Sequence, residues 1–470
     1  MKKILVLYLA MFSFKTYAQQ TYNGLWAGKI VGAVEIQMAF RISTEADSLT
    51  ATLDVPDQGI KNLKVGSVSL LKDSIKIEIA QFNAFYIGRM MNDSTINGTL
   101  HQQVALLLQL KKVAKLTATV RPQTPLPPFA YKSEDISYKN ADNSITFGAT
   151  ITVPNGKGPF PAVMLLTGSG LQNRDEEIVG HKPFAVIADH LTKNGFIVLR
   201  ADDRTMGTTT GSVQSATSLD FTRDAIAGFN YLRSRKEVDN KRMGFAGHSE
   251  GAMIAQLVAS ERSDVSFIIS LAGPGEKTID LMSEQNRAMF SKAGLSKDYI
   301  EKYMILYDSM LRIIVNYDKN SFESKASLLL DNWIETTPKN IVVVTTGIKD
   351  AASKQQFLGA MLATANNDWF RYFVRYNPEE NLRNFKGHYL ALNGDRDIQV
   401  GSQSNLRAIE QALQNGKAKS YEVHELKGLN HLFQECRSCT TIEYGQLDQT
   451  VSPEVLDLIA AWLKKTVLIK

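Results

Sequence analysis

The sequence predicts an α/β fold: a mostly parallel sheet with helices on both faces, a helical cap inserted into it, and a small antiparallel β domain in front. Three observations carry this. Short apolar runs at 162–166, 196–199, 243–246, 267–271, 389–392 and 421–426 alternate with stretches of helical spacing at 184–193, 220–234, 250–260, 403–414 and 453–464. Runs that short and apolar are strands covered on both faces, and their alternation with helices implies parallel crossovers. Residues 276–385 break the rhythm between the fourth and fifth runs with a mainly helical segment that carries Met and aromatic residues at intervals. Residues 20–118 obey a different rule. Val34, Ile36, Met38, Phe40 and Ile42 alternate with polar or small neighbours, as Ile75, Ile77 and Ile79 do with Lys76 and Glu78, which is the period of a half-buried strand.

Taken in chain order, the first segment reads as an address. Met1-Lys2-Lys3 is a positive start, Ile4 to Phe14 is apolar, and Thr16-Tyr17-Ala18 places small residues before Gln19, the pattern of a secretory signal peptide. Residues 1–18 are therefore expected to be removed from an exported protein, periplasmic or secreted. Residues 19–120 are expected to form the β domain, a small barrel or sandwich with turns at Asp57-Gln58-Gly59 and Asn97-Gly98. Prolines 122, 125, 127 and 128 make 121–131 a stiff linker. Residues 132–470 form the α/β domain, opening on two antiparallel runs in 132–153 and carrying the cap at 276–385.

Composition narrows the partners. The chain has 53 Lys and Arg against 48 Asp and Glu, and without Lys2, Lys3 and Lys15 the balance is 50 against 48. A near-neutral chain with no basic run gives nucleic acid no electrostatic footing. No apolar stretch reaches the roughly 18 residues that span a bilayer, so no integral membrane segment is expected once the signal is gone.

Chemistry enters at Gly247-His248-Ser249-Glu250-Gly251, which follows the strand at 243–246 and opens the helix at 250–260. A G-x-S-x-G turn in that context exposes a serine at a helix N-terminus, where developing negative charge is favoured. Serine needs a base to take its proton. Of the seven histidines, at 101, 181, 190, 248, 388, 424 and 431, only the last three follow Ser249 in the order this architecture uses. His388 and His424 fall in strands, whereas His431 lies in the loop after the last one, so His431 is the candidate base. Asp397, three residues past Gly394 in the loop after 389–392, is the candidate acid. Asp395 reads as a turn former. The candidate oxyanion donors are the N–H groups of Glu250 and of Ser169 in Thr167-Gly168-Ser169-Gly170.

These residues resemble the α/β-hydrolase superfamily from about 132 to 470. Leu166-Thr167-Gly168-Ser169-Gly170, Arg174-Asp175-Glu176, Gly247 to Gly251 and Asn430-His431-Leu432-Phe433-Gln434 resemble an exported bacterial carboxylesterase subgroup with an N-terminal β domain and a serine-aminopeptidase-like fold, as do 369–378 and 392–400. The resemblance implies hydrolysis of a small-molecule carboxylic ester, with Ser249, Asp397 and His431 as the triad and no metal or organic cofactor. Gly168, Gly170, Arg174 and His248, within the same motifs, are the candidate substrate contacts. Two departures stand out: Thr167-Gly168 where many relatives have His-Gly, and Arg204-Thr205-Met206-Gly207 where Arg-Gly-x-Gly is commoner. An esterase acting on small or medium acyl esters is the first expectation. A serine exopeptidase is the alternative, with Asp175, Glu176 and Glu177 available to hold a substrate amine unless they form a solvated face. Cys436 and Cys439, the two cysteines, can close a loop, remain free, or act as a redox pair.

Overall fold

The computed structural model describes residues 22–31, 35–102, 105–116 and 121–468. The signal segment and Val34 lie outside them. The chain forms two compact units: residues up to Pro122 with Ile178–His181 and Thr441–Asp448, and a second of Gln123–Glu177, Lys182–Thr440 and Gln449–Lys470. Among the described residues no helix is long and apolar enough to cross a membrane.

The first unit is one curled antiparallel sheet of nine strands: β1 Gly24–Val31, β2 Glu35–Glu45, β3 Ser48–Val55, β4 Ile60–Lys64, β5 Ser67–Leu70, β6 Ile75–Ile79, β7 Ala84–Asn92, β8 Thr95–His101 and β9 Ala105–Val113. They run β4-β3-β2-β1-β9-β8-β7-β6-β5 across the sheet. The two-residue period sends Phe40, Leu53, Ile75, Ile77, Tyr86 and Leu108 into one fully buried core with Trp26. Asp57-Gln58-Gly59 is a turn as expected, with Gly59 at φ 69°. Asn97-Gly98 is not. It lies inside β8, where Gly98 faces Gly88 across the ladder. A Cβ on Gly98 would meet the Tyr86 ring at 2.4 Å, and one on Gly88 would meet the Tyr86 hydroxyl at 2.4 Å. The two glycines leave room for that ring, so packing overrides the turn signal. In the same unit Arg121 donates to the carbonyls of Val179, Gly445 and Leu447 at 2.7–2.9 Å.

The second unit carries an eight-stranded sheet: β10 Lys132–Lys139, β11 Thr146–Val153, β12 Phe160–Leu166, β13 Ile197–Ala201, β14 Val238–His248, β15 Phe267–Leu271, β16 His388–Gly394 and β17 Ser420–Leu426. Their order is β10-β11-β13-β12-β14-β15-β16-β17. β10 and β11 pair antiparallel, β11 meets β13 antiparallel, and the remaining pairs are parallel. Both faces are covered. Ala162, Met164 and Leu166 point to one core with helices Ser218–Ser234, Glu250–Glu261 and Ser402–Gln414, while Val163 and Leu165 point to the other with Pro183–Lys193 and Pro453–Leu463. Fully burying each such side chain contributes about 1.5–3 kcal/mol. Between β15 and β16 the chain leaves the sheet for seven helices spanning Thr278 to Asn384, with an apolar centre around Leu306, Leu330, Trp333 and Val374.

Candidate active site

β12 feeds β13 on one side, and the chain then returns to β14 on the other. Such a reversal opens a crevice at the carboxyl ends of the two strands. β12 ends there at Leu166 and β14 at His248, in register through Leu166↔Gly247. Helix Glu250–Glu261 starts at once, so the backbone reverses at Ser249 with φ 52° and ψ −118°, a conformation L-residues avoid. Its surroundings fix it there. Ser249 N–H donates to Leu271 O at 2.8 Å, and Ser249 O accepts from Ala252 at 3.1 Å. A Cβ on Gly247 would come within 2.2 Å of the Gly251 backbone, and one on Gly251 within 2.0 Å of Leu166 O. Both glycines are needed for the helix to start this close to the strands.

The acid and the histidine arrive on the loops after β16 and β17. Asp397 Oδ2 bonds His431 Nδ1 at 2.7 Å, with both side chains buried. Asp397 Oδ1 is fixed separately by the Gln399 and Val400 N–H groups at 2.8 and 3.0 Å. A carboxylate so anchored keeps the proton on Nδ1 and leaves Nε2 as the basic nitrogen. Asp395 instead accepts the Gly428 N–H at 2.6 Å and shapes the turn after β17. His431 itself is presented by Asn430. Asn430 Oδ1 accepts from Leu432 and Gln434 N–H, both at 3.0 Å, and its Nδ2 donates to Gln434 Oε1 at 3.0 Å. The organising role of Asn430 was not anticipated from the sequence. The same loop ends in a disulfide between Cys436 and Cys439, which selects the closed loop among the three readings of that pair.

The loop after β12 is held from below by three carboxylates. Asp203 accepts the Thr167 hydroxyl at 3.1 Å and the Gln172 N–H at 2.8 Å. Asp202 accepts the Arg174 N–H at 2.8 Å and its guanidinium at 2.6 and 3.1 Å. Glu176, buried with φ 51°, accepts the Gly168 N–H at 2.7 Å and faces His248 Nδ1 at 2.9 Å. Burial pushes the Asp203 carboxyl up to about 7, against the pull of Gln172 and Thr167. Gly170 turns the loop at φ 98°.

Four expectations need correction. Arg174 does not face a substrate: its guanidinium is bound to Asp202, Asp135 and Thr150. His248 is buried, and its Nε2 meets the His431 carbonyl at 2.9 Å while Nδ1 meets Glu176, so neither nitrogen is offered to a ligand. The Gly168 N–H is likewise taken, by Glu176. The acidic run is no solvated face and no amine cradle either. Asp175 is bonded to Arg200 and lies 3.4 Å from Lys182, Glu177 lies 3.8 Å from Lys182, and Glu176 is inside.

Glu250, directly after Ser249, links the remaining pieces. Its buried carboxylate accepts the Ser218 hydroxyl at 2.6 Å, the indole N–H of Trp369 from the helical insertion at 2.8 Å, and the Ser169 hydroxyl. Burial pushes this carboxyl up, and the three donors only partly offset it. The side chain of one expected oxyanion residue thus anchors the other.

The chain is similar to several known proteins. A family profile described as the BAAT / acyl-CoA thioester hydrolase C-terminal domain matches residues 218–356. Esterase EstD of Thermotoga maritima is 28% identical over 277 residues, 56% of this chain and 65% of its own length. Among solved structures, a Pyrococcus furiosus esterase aligns at TM-score 0.44 and 15% identity over 74% of this chain and 98% of that one. A hypothetical protein from Pseudomonas aeruginosa aligns at 0.43 and 16% over 75% and 98%. The fold itself is decided by the chain's own connectivity. A mostly parallel sheet with this strand order, opened by an antiparallel pair and turned sharply at a serine between strand and helix, is the α/β-hydrolase fold.

Proposed function

We propose that the protein is a serine carboxylic ester hydrolase acting through an acyl-enzyme on small or medium acyl esters. The observation that carries the reading is the 2.7 Å bond from Asp397 to Nδ1 of His431, on a loop that also binds the residue preceding the strained Ser249. His431 Nε2 takes the Ser249 proton as Oγ attacks the ester carbonyl, and returns it to the departing alkoxide. Water then attacks the acyl-enzyme with the same histidine as base. The backbone N–H groups of Glu250 and Ser169 stabilise the oxyanion, each contributing about 3 kcal/mol. Similarity to an esterase supports the reaction class. The exopeptidase alternative loses the carboxylates it needed, because Asp175, Glu176 and Glu177 are bound within the protein.

A fluorophosphonate probe should label wild type and fail on Ser249→Ala, which should remain folded and lose ester hydrolysis. Activity surviving in that variant sinks the mechanism. A panel of esters of increasing acyl length, acetylated sugars included, set against Ala- and Pro-naphthylamides, then fixes the substrate; faster amide turnover would return the exopeptidase reading. We also propose that residues 1–18 direct export. The Cys436–Cys439 disulfide supports an oxidising compartment. Mature protein beginning elsewhere than Gln19, or retained in the cytoplasm, would refute this.

A further inference from the structure

His248 is buried, yet it joins the two halves of the site. On one side its Nε2 lies 2.9 Å from the main-chain oxygen of His431. A carbonyl oxygen can only accept, so Nε2 carries a hydrogen. On the other side Nδ1 lies 2.9 Å from Glu176 Oε1, and a hydrogen is needed between those two atoms as well. A neutral imidazole has one N–H. The arrangement therefore demands two protons on the pair, which as a whole is neutral, and because Oε1 must also accept from Gly168 the shared proton is assigned to Nδ1, imidazolium facing carboxylate. Oε1 of Glu176 in turn accepts the Gly168 N–H at 2.7 Å, in the loop that bears Ser169.

We propose that His248, held as an imidazolium against Glu176, is a positioning residue that fastens the oxyanion loop to the His431 loop, so that the site is assembled only while the pair keeps its shared proton.

The surroundings favour this. Glu176 and His248 share an apolar lining with Pro183, Phe184, Ile187, Leu271, Leu432, Phe433, Val451 and Val455, where a paired charge is strong and an unpaired one costly. The titratable groups facing the His248 ring are Glu176 from the oxyanion loop, Asp397 from the loop after β16 and His431 from the loop after β17. The apolar walls come from helices Pro183–Lys193 and Pro453–Leu463. Burial pulls the His248 pKa down, but the Glu176 charge and hydrogen bond, the His431 carbonyl and the Asp397 charge outweigh it, and the net shift is upward. When the shared proton leaves at high pH, a lone pair must face either Glu176 or the His431 carbonyl. Glu176 is tied to Gly168 and His431 to Asp397, so one of the two loops must give.

The inference rests on Ser249 and His431 being the reacting pair, and its test separates the two claims. Acid release from a short-chain ester in a pH-stat gives kcat and KM against pH for wild type, Glu176→Gln and His248→Gln. Wild type should show an alkaline limb. Glu176→Gln keeps an acceptor for Gly168 but removes the charge. Its alkaline limb should move to lower pH by at least about one unit, with kcat down about 100-fold and KM little changed. His248→Gln still donates to His431 but cannot titrate, so its kcat should be low and lack that limb. A Glu176→Gln profile superimposable on wild type overturns the proposal. Nitrogen-15 spectra of wild type decide the charge state without any variant: two protonated ring nitrogens on His248 at pH 7 support it, and one overturns it. Fluorophosphonate labelling tells the failures apart. Labelled protein with an unmoved profile condemns the positioning role alone, whereas unlabelled protein condemns the reading of Ser249.

Discussion

The loop that presents His431 and the loop that presents Ser169 belong to the same candidate site but are built from different chemistry. The first is held by amides: Asn430 to Leu432 and Gln434, and Gln434 onward to the Gln449 carbonyl at 2.7 Å. Its acidic ties named above are Asp397 on His431 and Asp395 on the Gly428 N–H at the start of the loop. The second hangs on Asp202, Asp203 and Glu176. Amide hydrogen bonds do not titrate, and carboxylates do. The difference teaches that the amide ties within the His431 loop should be indifferent to pH across the neutral range, while the ties of the Ser169 loop, and the His248 contact that joins the two loops, should follow it.

The sharpest way to break that contrast is Asp397→Asn. An amide there cannot hold the Nδ1 proton in the same way, and the imidazolium formed in the reaction loses its counter-charge. The expected loss of kcat is about 10⁴-fold at neutral pH, with unfolding unchanged in cooperativity. A loss below tenfold would mean that the 2.7 Å contact does not serve catalysis. Next in size is Asn430→Ala. It strands the Leu432 and Gln434 N–H groups and the side-chain oxygen Oε1 of Gln434 in a buried loop, at a cost of about 3 kcal/mol for three lost bonds, measured by urea unfolding. Its activity should fall by the same factor at pH 6 and pH 9. A loss confined to one end of that range would erase the distinction between the loops.

Asp203→Asn probes the other side. Its folded pKa, about 7 because of burial, is raised above the unfolded value of about 3.9. The stability this proton confers is fully present below about pH 4 and is lost as pH rises through about 7. The amide keeps acceptors for Thr167 and Gln172 and has no charge to desolvate. The variant should match wild type at pH 4 and exceed it above pH 7. Because Asp203 is only partly buried by exposure, the gain should be on the order of 1–2 kcal/mol. Equal unfolding midpoints at pH 8 would show that the carboxylate is comfortable there and that the oxyanion loop is no more pH-sensitive than its partner.

The same contrast explains what could be seen in advance. Period-two runs and short apolar runs are local signals, so the β character of the first unit and the alternating strands and helices of the second were legible. Ser249, Asp397 and His431 were legible as candidates because turn geometry and chain order leave few choices, and the Asp397–His431 contact is the part of that reading the structure carries. What stayed hidden was burial of charge. Asp175, Glu176 and Glu177 look like a solvated run, and no local rule says that only the middle one goes inside. The cause is Asn173, which accepts N–H bonds from Asp175 and Glu177 at 3.0 and 3.2 Å through its side chain, and from Glu176 at 2.8 Å through its carbonyl. That turn puts Glu176 at positive φ and aims it at His248. Arg174 was misread for the same reason: its partners, Asp135 and Asp202, are distant in sequence and meet it only across the sheet. Asn97-Gly98 failed differently, because a glycine that makes room for Tyr86 reads the same as a glycine that turns a chain.

The smallest effect tests strain beside the carboxylate-held loop. Thr205 follows Arg204, which is bound to Asp224 at 2.6 and 2.9 Å, and it takes φ 68°. A β-branched residue there is strained by roughly 1–2 kcal/mol, in the position where Arg-Gly-x-Gly sequences place glycine. Thr205→Gly removes the strain but loosens the unfolded chain, which returns about 0.4–1 kcal/mol. The net gain should be about 0.5–1 kcal/mol, seen as a raised unfolding midpoint that does not vary with pH. A gain that appeared only above pH 7 would mean the substitution had shifted Asp203, two residues away, and that backbone strain and carboxylate burial on this side of the site are one effect rather than two.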